Sequence, residues 1–150
     1  MTTKATVDNF LSQRTLALVG ASRDPKAFSS MASKELRAKG FRVIPVNPNA
    51  DTIMGERCYP SLADLPERVD AALIMTPPGQ TEAVVRDAAA AGIKQVWMQQ
   101  GAESAAAIQF CQENGISAVH GECILMFANG RSFPHIAHRW VWGLLGKLPK

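Results

Sequence analysis

Five short apolar runs, separated by stretches of helical periodicity, constrain most strongly what this chain can fold into. The runs are Thr15–Val19, Arg42–Val46 and residues 69–75, 94–98 and 116–119. The third contains Ala71-Ala72-Leu73-Ile74-Met75, which is apolar without alternation and so must be covered on both faces. Between the runs, residues 29–39, 81–91 and 103–113 read as amphipathic helices that stop at Gly40, Gly92 and Asn114-Gly115. A short helix at residues 7–13 precedes the first run, a loop passes through Gly55, and residues 62–67 form a helical turn. Residues 134–148 form an aromatic helical tail. Strand and helix in alternation imply an α/β fold, a doubly wound and mostly parallel five-stranded sheet with an extra C-terminal helix.

A length of 150 residues fits one domain covering 1–150, with one core and no second lobe. The net charge of +3 suits an anionic small molecule but supplies no basic stripe for nucleic acid. Cys58, Cys111 and Cys123 are scattered and odd in number, which points to a reducing compartment rather than a disulfide framework. The first ten residues hold no long apolar segment, and no apolar stretch approaches membrane-spanning length, so a cytoplasmic protein is expected.

In a doubly wound sheet, ligands bind beyond the carboxyl ends of the strands. The residues there are Gly20, Ala21, Ser22, Arg23 and Lys26 after the first strand, Asn47 and Pro48 after the second, Thr76 and Pro77 after the third, and Gln99, Gln100 and Gly101 after the fourth. Gly20 and Ala21 are small enough for backbone amides to approach a diphosphate. Ser22 adds a hydroxyl, Arg23 and Lys26 add positive charge, and the next helix aims its positive end at the same place. The competing reading is a tight turn with ordinary surface cations.

The dinucleotide fingerprint Gly-x-Gly-x-x-Gly keeps only its first glycine here, with Ser22 and Pro25 in the other places. The second strand ends Val46-Asn47-Pro48, without the acid that would bond both ribose hydroxyls of NAD. A Tyr-x-x-x-Lys reductase dyad is also missing, since the only tyrosine, Tyr59, is followed four residues later by Ala63. A 3′-phosphorylated adenosine carrying a diphosphate and a long neutral arm fits these residues better than a hydride carrier.

Several segments together resemble the stand-alone CoA-binding proteins, which are similar to the CoA-binding domain of the succinyl-CoA synthetase α subunit and of NDP-forming acyl-CoA synthetases. They are Gly20-Ala-Ser, Pro25, Gly40-Phe-Arg-Val-Ile-Pro-Val-Asn-Pro48, Gly55, Tyr59-Pro-Ser-Leu62, Val69-Asp70 and Trp97-Met-Gln-Gln-Gly101. The resemblance covers about residues 15–123 and implies a Rossmann-like fold with coenzyme A or an acyl-CoA as ligand. It also implies roles. Gly20, Ala21, Ser22 and Arg23 would hold the diphosphate with Lys26 nearby, and Asn47 and Pro48 would flank the adenosine and its 3′-phosphate. Thr76 and Pro77 would border the adenine, and Gln99, Gln100 and Gly101 would face the pantetheine arm. The synthetases carry their phosphorylated histidine on a second domain for which this chain has no room. The expectation is therefore a module without chemistry of its own that senses, stores or hands over the cofactor. The alternatives are half of a split acyl-CoA ligase, an NADP-binding reductase, or a protein-docking domain that has lost its ligand. A second copy of the chain and a separate ligase subunit are the partners to consider.

Other features invite sharper readings. His120-x-x-Cys123, then eleven residues, then His135-x-x-His138 has finger-type zinc spacing. A sheet of this kind needs no metal to fold, however, so no metal is expected. Cys123 should follow the fifth strand on the ligand side, where a mixed disulfide with the CoA thiol is conceivable, against the plainer role of a buried small hydrophobe. The tail's Trp140, Trp142, Arg139 and Lys147 suit packing against the sheet edge or a second subunit better than a membrane surface.

Overall fold

The computed structural model describes residues 3–126. The elements follow in the order α1 (Lys4–Leu11), β1 (Thr15–Val19), α2 (Phe28–Ala38), β2 (Arg42–Val46), β3 (Thr52–Ile53), β4 (Glu56–Arg57), β5 (Ala71–Ile74), α3 (Pro78–Ala90), β6 (Gln95–Gln99), α4 (Ala105–Glu113) and β7 (Ser117–Glu122). Five strands form one sheet in the order β2-β1-β5-β6-β7, and every pairing in it is parallel. This is an α/β, Rossmann-like fold.

Alternate residues of each strand feed two separate cores. Leu16, Leu18, Leu73, Trp97 and Val119 pack with Val7 and Phe10 of α1 and with Ala32 and Leu36 of α2. Ala17, Val19, Ala72, Ile74, Val96 and Met98 pack on the other side with Val85 and Ala88 of α3 and with Ala107 and Cys111 of α4. Two helices thus cover each face, which explains why β5 is buried throughout and reads as an uninterrupted apolar run.

Helix starts differ from the periodic reading because caps, not periodicity, set them. Thr3 accepts the Thr6 N–H, so α1 begins at Lys4 and ends at Leu11, displaced toward the N-terminus from 7–13. Pro78 opens α3 three residues before 81, and the Ser104 cap starts α4 at Ala105. The turn at residues 62–67 shortens to a 3-10 helix at Leu62–Asp64. The last strand runs on to Glu122 because Gly121 is an extra residue: Met98 pairs with His120, but Gln99 pairs with Glu122. The loop through Gly55 is a small hairpin, with Met54 and Gly55 both at positive φ (52° and 77°) in its turn. Methionine rarely occupies that position, so the sequence carried no hairpin signal there. The expected helix at 134–148 lies outside the described residues.

Candidate functional site

The chain leaves β1 toward β2 on one side and toward β5 on the other, so its direction across the sheet reverses between β1 and β5. Beyond their carboxyl ends a cleft of about 450 Å³ opens. It gathers Gly20 and Ser22, the start of α2, Thr76 and Pro77, and Gln99, Gln100 and Gly101. Seven of the twelve residues singled out from sequence therefore meet in one place. The remaining five do not line it. Ala21 is buried, Arg23 and Lys26 are exposed on the loop to α2, and Pro48 is exposed. Asn47 is occupied internally: its Nδ2 donates to the Ala21 carbonyl at 2.7 Å and its Oδ1 accepts the Asn49 N–H at 2.7 Å. It tethers the loop after β2 to the loop after β1.

Gly20 has φ +92°, and a Cβ built there would lie 2.8 Å from the carbonyl carbon and oxygen of Met75. Only glycine lets the loops after β1 and β5 approach so closely. The rest of the first loop is held by its own hydrogen bonds. Ser22 N–H donates to Ser29 Oγ at 3.2 Å, Asp24 N–H donates to Ser22 Oγ at 3.1 Å, and Ser30 Oγ donates to the Asp24 carbonyl at 2.7 Å. The N-cap of α2 is Ala27, whose side chain can cap nothing. The Phe28 and Ser29 N–H groups are thus left for an external acceptor at the cleft, while Ser30 N–H already donates to the Ala27 carbonyl at 3.1 Å. Ser29, which orients the loop and lines the cleft, escaped the sequence reading because a serine just inside a helix carries no motif.

The opposite wall is equally fixed. Thr76 Oγ1 and Thr81 Oγ1 share a hydrogen bond of 2.8 Å, and Thr81 Oγ1 donates to the Ala102 carbonyl at 2.6 Å, all of them buried. This joins the loops after β5 and β6. Gln99 Oε1 accepts the Ile124 N–H at 3.0 Å, and Gly101 N–H donates to Glu103 Oε2 at 3.0 Å.

A slightly larger groove of about 530 Å³ flanks β2 at the sheet edge and contains Arg37, Arg42 and Arg57. Two of its three arginines are matched by carboxylates, and the third rests on a ring. Arg37 pairs with Glu56 at 2.9 Å, Arg42 with Glu67, and Arg57 lies over the Tyr59 ring. It offers an anion less than the cleft does.

Among the titratable groups near the carboxyl ends, Glu122 stands out. Burial pushes its carboxyl up to about 7. In the unfolded chain it would ionise in the ordinary carboxylate range, so between about pH 4.5 and about pH 7 the folded state holds a proton that the unfolded state has lost. Stability falls as pH rises through that window. Glu122→Gln should flatten this slope and leave the variant more stable than the parent at about pH 8, as thermal melts across pH would read. His120, half-buried on β7, is lowered by burial, with Glu103 opposing. Burial pushes the Cys58 thiol up and the Cys111 thiol to about 11, which keeps both protonated. Cys123 is half-buried directly after β7. Among the described residues no three His, Cys, Asp or Glu side chains gather closely enough to hold a metal ion, and His135 and His138 lie outside them. Nor is any helix among the described residues long and apolar enough to cross a membrane.

A family model described as CoA binding domain matches residues 14–129. The chain is 39% identical over 83 residues to an ADP-forming acetate–CoA ligase II of Archaeoglobus fulgidus, covering 54% of this chain but only 12% of that enzyme. It is 29% identical over 122 residues to the protein YneT of Bacillus subtilis, covering 81% of this chain and 90% of that one. A solved structure of a conserved hypothetical protein from Pyrococcus furiosus superposes with a TM-score of 0.71 at 42% identity, covering 75% of this chain and 97% of that one.

Proposed function

This chain belongs to the CoA-binding domain family, and from that premise we propose that it holds coenzyme A in the cleft at the β1–β5 reversal and performs no chemistry on it alone. The observation that carries the reading is the conjunction at Gly20 and α2. A backbone with no Cβ abuts the loop after β5, and a helix start without a side-chain cap faces the same space. A diphosphate supplies the acceptor oxygens that such N–H groups lack. Arg23 and Lys26, exposed on the adjoining loop, favour the further phosphate on the 3′ position. Gln99, Gln100 and Gly101 would then border the pantetheine arm, Thr76 and Pro77 the adenine, and Asn47 would act through the loop it holds. A thioester arm fits the same wall, so acyl-CoA is included.

A thermal-shift panel tests this. At a hundred times its dissociation constant, CoA should stabilise the fold by about 2.7 kcal/mol. Dephospho-CoA at the same concentration should do so less, and NAD and NADP not at all. Stabilisation by NADP and not by CoA would replace this reading with a reductase.

A second reading is favoured by the 39% identity to the acetate–CoA ligase: the chain is the CoA-binding part of a ligase whose remaining machinery sits on another subunit. It predicts turnover of a carboxylic acid, CoA and nucleoside triphosphate only when that subunit is added.

A further inference from the structure

Glu122 ends β7, the strand beside the one whose end walls the cleft with Gln99, is only 8% exposed, and its Oε2 meets no hydrogen-bond partner among the described residues. Paired residues of neighbouring strands project from the same face of a sheet. Glu122 pairs with Gln99, so its side chain leaves the sheet on the side that Gln99 occupies at the cleft wall. The backbone is tied to that wall as well: the Glu122 carbonyl accepts the Gln100 N–H at 3.2 Å and Trp97 Nε1–H at 3.0 Å. Two residues further on, Ile124 N–H reaches Gln99 Oε1. Glu122 thus stands on the neighbouring strand at the level of Gln99 and Gln100. A buried carboxyl oxygen with nothing to accept is unusual in a native fold and calls for a donor from outside.

We infer that Glu122 is the acceptor for an amide N–H on the arm of the bound ligand, so that this end of the cleft selects a neutral, amide-bearing chain. The inference rests on the CoA reading, since the pantetheine arm carries secondary amides and ends in a thiol. An N–H matches a carboxyl oxygen better than the weak donor S–H does. The raised pKa of Glu122 comes from burial alone. Among the described residues, Lys4 and Asp8 of α1, Cys111 and Glu113 of α4, Glu103 of the loop before α4, and His120 and Cys123 on its own segment are the titratable groups on elements packed around β7, and none of them is among its causes. An N–H donated to the carboxylate favours the ionised form. Binding of the arm therefore lowers the pKa and releases a fraction of a proton to solvent near pH 7.

Isothermal titration of the full chain near pH 7, in buffers of different ionisation enthalpy, reads that proton. CoA and acetyl-CoA should release more proton from the parent chain than from Glu122→Gln, while 3′-phospho-ADP, whose phosphates lose protons of their own on binding but which lacks the arm, should release the same amount from both. Glu122→Leu should weaken CoA about tenfold and leave 3′-phospho-ADP unchanged. Glu122→Gln, which keeps an acceptor, should recover most of the affinity but release only what the ligand's phosphates supply. CoA releasing as much proton from Glu122→Gln as from the parent, or equal weakening of CoA and 3′-phospho-ADP in Glu122→Leu, would overturn the assignment. An excess over Glu122→Gln seen with CoA but not with acetyl-CoA would overturn it too, making the thiol the donor. A parent chain that binds 3′-phospho-ADP but shows none of these arm effects keeps the cofactor reading and loses only this inference. A parent that binds neither CoA nor the fragment loses both.

Discussion

Gly20→Ala should lower the melting temperature by on the order of 10 °C and abolish CoA binding with it. Two costs combine. A residue with a Cβ at φ +92° pays about 1–2 kcal/mol for the left-handed conformation. The new methyl would also sit 2.8 Å from the Met75 carbonyl carbon and oxygen, main-chain atoms that cannot rotate aside, which adds about 1–3 kcal/mol of overpacking. For a chain of this size each kcal/mol moves the transition by about 2–4 °C. Gly92→Ala separates the two costs, because Gly92 also has positive φ (+79°) but an added Cβ there meets nothing within 4 Å. It should show the conformational cost alone. Equal melting temperatures for the two variants would mean that the loops after β1 and β5 do not press together as described.

Ser22→Asp should leave the fold intact and weaken CoA at least about a hundredfold, since a like charge brought against a phosphate costs several kcal/mol. The fold should survive for a specific reason. Ser22 Oγ accepts the Asp24 N–H at 3.1 Å, and an aspartate carboxylate accepts the same bond in the same turn. Ser22 is half-buried and lines the cleft, with the Asp24 carboxylate already close by in the loop. A second negative charge there opposes any diphosphate. Native-like melting without ligand, combined with no shift on adding CoA, is the expected pair of results. An undiminished shift would move the diphosphate elsewhere.

The strands and their two-sided burial were legible in the sequence because parallel strands covered on both faces must be apolar runs. Gly40, Gly92 and Gly115 likewise ended the helices where expected. The ligand loops followed from the architecture, since a doubly wound sheet puts its strand-to-helix loops at one edge. Three things were not legible. Helix starts depend on single caps such as Thr3 and Ser104, which a periodicity does not weigh. The β3–β4 hairpin turns on Met54, a residue with no turn preference. The unpartnered carboxyl of Glu122 and the tether from Asn47 to Ala21 arise only when residues far apart in the chain come together. Asn47 shows the limit well. Its place after β2 marked it as a ligand residue, yet both ends of its amide are engaged by the backbone.

Amide chemical shifts of the labelled chain during titration with CoA would locate the ligand directly. The largest changes should fall on Gly20 to Ser29, Thr76 and Gln99 to Gly101, and the residues along β2 and β4 around Arg42 and Arg57 should stay still. Changes concentrated in that arginine groove, with Gly20 to Ser29 unmoved, would contradict the claim that the diphosphate meets the start of α2.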